Sequence, residues 1–122
     1  MNLKKLSLVC CTASIAIGAF SLPAQAAMKH RFFYGISRQL QYQNSTGAKE
    51  ALNLFVIMDD KVKDGYFEIG KEACSALKFG FYPQQVVDMI RDAGGKKRTH
   101  SAEAEAMYVA VVNAAKATMC PN

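Results

Sequence analysis

The sequence is poor in the side chains that carry chemistry. Its only histidines are His30 and His100, and no His-x-x-His-type metal spacing exists. There is no Cys-x-x-Cys for dithiol redox work, no Gly-rich phosphate loop and no Ser-centred nucleophile elbow. A cysteine nucleophile would need a free thiolate beside a histidine, and the cysteines here have a more economical use. Asp59, Asp60 and Asp64 could bring carboxylates together, but they read as a solvated helix end. The chain is therefore expected to be no enzyme and to need no metal or cofactor. Repeats, heptads, low-complexity tracts and long linkers are missing too, which leaves one domain.

What is present begins with a targeting pattern. Lys4 and Lys5 open the chain, Leu6 to Leu22 is an uncharged apolar run, and Pro23 breaks it. Ala24-Gln25-Ala26 supplies the small-x-small pattern of a signal-peptidase site. Gly18 and that cleavage pattern favour a removed signal over a membrane anchor. Cys10 and Cys11 follow Val9 inside the apolar run, where a lipid-modified cysteine would need a small residue before it. The expectation is a cleaved signal peptide over 1–26, cut between Ala26 and Ala27, and a mature domain over 27–122 that is periplasmic or secreted. With Lys4 and Lys5 gone, thirteen basic and ten acidic side chains leave +3 in place of +5. That mild charge does not call for nucleic acid.

Export decides the fate of the remaining cysteines. Only Cys74 and Cys120 lie beyond the signal, so one intramolecular pairing is possible, and an oxidising compartment favours it. The chain-entropy model gives a loop of about this length roughly 4 kcal/mol of stabilisation. Small domains are stable by only about 5–15 kcal/mol, so the bridge would be a large share of the total.

Periodicity in the mature chain is helical. Tyr66, Ile69, Gly70, Ala73, Cys74 and Leu77 fall on one face, with Glu68, Lys71, Glu72 and Ser75 opposite. Gly80 is placed to end that helix. Pro83 opens the next one, where its missing N–H costs nothing, with Val86, Val87, Ile90 and Ala93 as its apolar stripe and Gly94-Gly95 as its stop. Ser101 reads as the N-cap of a last helix, with Glu103 and Glu105 in its first turn. Ala104, Tyr108, Val111, Ala115 and Thr118 continue on one side, and Pro121 ends it. Earlier in the chain, Phe32, Phe33, Ile36 and Leu40 have helical spacing, weakened by Gly35. Ala48, Ala51, Leu52, Phe55, Met58 and Val62 form another stripe, although Leu54 to Met58 also fits a buried strand. The fold expected is all-α, a small bundle of four to five short helices locked by one disulfide.

The segment from Asp64 to Pro121 resembles the small secreted and lipoprotein family, known mainly from mycobacteria, catalogued as domain of unknown function 732. "EIGKEACSALKFGFYPQQVVDMI" and "SAEAEAMYVAVVNAAKATMCP" carry the likeness: Gly before Cys, a Gly turn, Pro opening a helix, and a final Ala- and Val-rich helix running into Cys-Pro. The resemblance implies an all-α fold with the two cysteines bridged, and offers no activity to inherit. Tyr82 before the proline, a long basic loop after Gly95 and an aromatic N-terminal arm depart from the pattern.

Function is then read by elimination as an exported binding or interaction protein whose partner is another protein. Lys96, Lys97, Arg98 and His100 form a basic loop that could meet an acidic surface. A second reading is an immunity or inhibitor protein against a secreted toxin or cell-wall enzyme. A third is a haem or lipid carrier, with His30 or a tyrosine as axial ligand amid the aromatic cluster "HRFFYG". Against the carrier, Phe32 and Phe33 read more simply as core.

Overall fold

A computed structural model describes residues 2–93 and 101–120, with side chains from Pro23 onward. The chain divides into two compact units, Met1–His30 and Arg31–Asn122. Five helices are present and no strand occurs among the described residues: α1 (Asn2–Gln43), α2 (Thr46–Val56), α3 (Asp60–Lys78), α4 (Pro83–Ala93) and α5 (Ala102–Thr118). The all-α expectation holds. The second unit carries the helical bundle.

Local chemistry sets each helix boundary. α1 stops where Asn44 turns into the left-handed region at φ 47°, a conformation that asparagine tolerates. The Ser45 hydroxyl then accepts the Ala48 N–H at 3.1 Å and starts α2. Residues 47–63 hold no strand. α2 ends at Val56, and α3 starts afresh behind the N-cap Asp59. The stripe that joins Phe55 to Met58 and Val62 in sequence is thereby broken, and Val62 is exposed. Asp59 and Asp60 are exposed at the N-terminal end of α3, where their charge suits the helix dipole. α3 closes at Gly80, whose φ of +111° needs no Cβ.

α5 is the axis. α2, α3 and α4 all pack against it, and Gln43 of α1 donates from Nε2 to its Ala106 carbonyl at 2.9 Å. The single stripe expected for α5 is too narrow. Ala106, Met107, Ala110, Val111, Val112, Ala114 and Ala115 are buried around most of its circumference. Alanine makes this possible, because its small side chain lets neighbouring backbones come close. A Cβ on Gly35 would stand 3.2 Å from Ala114 Cβ, so the glycine that weakens the α1 pattern is where α1 meets the axis.

Among the described residues no polar or charged side chain is buried in the core. Phe32, Ile36 and Leu40 of α1 are fully buried within it, as their spacing predicts. On α3 the residue driven inside is Phe67, while Tyr66 is half-buried. Phe32 and Phe67 meet edge to face at 5.9 Å, and Phe33 meets Phe55 at 6.0 Å.

Cys74 and Cys120 are bridged, with Cα atoms 5.7 Å apart and both residues buried. The bridge joins the middle of α3 to the end of α5 and encloses α4 in the loop.

At the other end of α5, Ser101 accepts the Ala104 N–H at 3.2 Å, as the N-cap reading predicts. Ser101→Ala should cost about 1 kcal/mol and lower the thermal midpoint by about 4–8 °C. Ser101→Asp, which keeps the acceptor, should melt with the wild type. Equal melting of the alanine variant would remove the cap's role.

Candidate functional site

Two helix stripes that read as core faces line an open groove instead. On α3, Val62, Tyr66, Ile69, Ala73 and Ala76 follow one another at steps of three and four residues. On α4, Val86, Met89, Ile90 and Ala93 share one face, at i, i+3, i+4 and i+7. Tyr108 of α5 joins them. The enclosed volume is about 550 Å³, within the range of sites that hold ligands.

α3 and α4 pack on one another, and α5 packs against both. Val86 is buried, Ile69, Ile90 and Tyr108 are half-buried, and Val62 and Met89 are 48% and 44% exposed. Water therefore reaches a continuous apolar surface. Polar groups are few: Glu72 on the α3 side and the two tyrosines. Burial pushes the Tyr66 hydroxyl above its ordinary range, and proximity to Tyr108 adds to the effect. The Tyr66 phenol therefore stays neutral and offers a hydrogen-bonding group to the groove.

One wall is held by an ion-pair cluster. Arg91 of α4 grips Glu105 of α5 through Nε at 2.7 Å and Nη2 at 2.7 Å, a two-pronged geometry that fixes orientation as well as distance. Its Nη1 donates to Asp88 at 2.7 Å, and Gln84 donates to the same Asp88 oxygen at 3.2 Å. The Asp88 carboxyl is consequently held below the usual carboxylate range by the Arg91 and Gln84 hydrogen bonds, and Arg91 is held fully protonated by Glu105 and Asp88. Glu105 precedes Tyr108 by one turn, so the clamp sets the spacing of α4 and α5 beside the groove.

The residues singled out from sequence fare differently. Cys74 and Cys120 are brought together as expected. Lys96, Lys97, Arg98 and His100 lie outside the described residues. Ala27 and Ala26 are exposed in the first unit, as is His30. In the second unit Phe32 is core, as the simpler reading of the aromatic cluster has it. Among the described residues no group of three or more His, Cys, Asp or Glu is placed to hold a metal, and no helix is long and apolar enough to cross a membrane. The groove is the feature that sequence reasoning missed. Its signal was the continuation of the α3 stripe outward to Val62 and of the α4 stripe to Met89, wider than a single buried contact requires.

Comparison of the chain with models of known families, with curated proteins and with solved structures returns no match.

Proposed function

We propose that the protein is an exported, non-enzymatic binding protein that receives apolar side chains of a protein partner in the groove between α3 and α4. The supporting observation is that groove: about 550 Å³, mostly apolar on both walls and open to water, with Glu72 and two tyrosines as its polar groups. A groove between two helices suits an amphipathic helix presenting anchors at i, i+3, i+4 and i+7. The buried disulfide and the Arg91 clamp keep the walls in place before the partner arrives, which lowers the ordering cost of binding. The lack of a nucleophile–base pair or a metal set in the sequence supports a binding role over catalysis.

A photo-crosslinking side chain at Met89 tests the reading in living cells, with the exposed Glu50 of α2 as control. A discrete adduct is expected at Met89 and none at Glu50. Ala76→Phe, which fills the groove, should remove the adduct while the helical circular-dichroism signal stays unchanged. Equal labelling at both positions, or an adduct that survives Ala76→Phe, would overturn the groove as the binding site.

A further inference from the structure

We infer that the turn joining α3 to α4, Phe79-Gly80-Phe81-Tyr82, is a docking tip for an anionic lipid surface. Three aromatic residues stand in water there: Phe79 is 83% exposed, Tyr82 73% and Phe81 39%. The Phe79 and Phe81 rings stack on one another at 6.1 Å with 23° between planes, rather than on the core. The turn is nonetheless ordered, because its N–H groups are already engaged. Phe79 donates to the Ser75 and Ala76 carbonyls, Gly80 to Leu77, and Phe81 to Ala76, at 3.0–3.2 Å. The Tyr82 N–H is taken by Gln85 Oε1 at 2.8 Å, half of a capping box, and Pro83 has no N–H to satisfy. Every N–H from Phe79 to Pro83 is thus paired or absent.

Paired N–H groups lower the cost of bringing this backbone to the headgroup and acyl boundary, where an unsatisfied polar group is expensive. Charge agrees: Lys78 is exposed beside Phe79, and no acidic residue occurs between Glu72 and Asp88. Phenylalanine reaches the acyl region, tyrosine sits at the headgroups, and lysine meets anionic lipid. The tip does not depend on what fills the groove.

The test is co-sedimentation of the full chain with vesicles of phosphatidylcholine alone or mixed with phosphatidylglycerol. Binding should be stronger to the mixed vesicles. Phe79→Ser and Phe81→Ser should each lower the partition coefficient about tenfold. Lys78→Gln should lower it about fivefold, on the mixed vesicles only. Ile57→Ser, which removes an equally exposed apolar side chain from the α2–α3 turn, should change nothing. The chain has no tryptophan, so Phe79→Trp provides a single probe whose emission should shift to the blue on the mixed vesicles. Any binding through the N-terminal segment is common to all variants, so the differences report the tip. Wild-type partition equal to that of Phe79→Ser, an unshifted Phe79→Trp emission, or an equal loss in Ile57→Ser would overturn the proposal. A wild type that ignores both vesicle types would do the same, and would leave the tip to a protein partner.

Discussion

Replacing Cys120 by serine should lower the melting temperature by about 15–30 °C. The bridge from Cys74 spans 46 positions, and closing such a loop in the unfolded chain is worth about 4 kcal/mol in the chain-entropy model. A domain of this size loses about 4–8 °C per kcal/mol. The folded state adds little compensation, because both cysteines are buried and the serine hydroxyl would have only the Ala115 carbonyl, 3.6 Å from the sulfur, to donate to. Cys74→Ser and chemical reduction of the wild type should give the same midpoint, since all three open the same loop. Thermal melts by circular dichroism, with and without reductant, measure this. Alkylation without denaturant should leave Cys74 and Cys120 unmodified in the oxidised protein. A Cys120→Ser variant that melts with the wild type would show that the bridge contributes nothing.

Phe32→Ala should be comparably severe, at about 3–5 kcal/mol. The ring is fully buried, meets Phe67 edge to face and lies where a Cβ on Gly70 would come within 2.6 Å of its Cζ. Gly70→Ala alone should therefore destabilise by about 1–3 kcal/mol through overpacking, although alanine is the better helix former by about 1 kcal/mol. In the Phe32→Ala background the sign should reverse. The obstructing ring is gone, and the new methyl enters the space it left beside Met119. Chemical denaturation of the two single variants and the double variant closes the cycle. A coupling near zero would mean that Gly70 and Phe32 do not share that space.

The same pair of residues shows how far the sequence could be read. Gly70 sits on the predicted stripe of α3 and is buried there, but the reason for a glycine at that position appears only when α1 is placed across it. Local signals were legible because each is a short-range hydrogen bond or a conformational restriction: Ser101 as a cap, Pro83 as an opening residue, Gly80 as a stop. The Cys74–Cys120 pairing was legible because only one partner remained. The burial of α5 on most sides was not, since alanine fits a core or a surface and gives periodicity no contrast. The end of α2 was missed because the apolar spacing runs on through Met58 and Val62 and outweighs the Asp59-Asp60 start signal. The groove depends on how α3, α4 and α5 are placed against one another, which no single stripe encodes.

The central position of α5 also has a consequence in time. A ribosome makes α1 to α4 before the helix against which α2, α3 and α4 pack. Until Ala102–Thr118 emerges, those segments have only their contacts with one another, such as Phe32 on Phe67 and Phe33 on Phe55, and the contacts of α2 and α3 to α5 are long-range in sequence and slow to form. On the export reading, that delay keeps the nascent chain loose enough to thread through a translocon. Cys120 completes the loop only after the axis itself has been delivered, so oxidation reports the end of folding rather than directing its beginning.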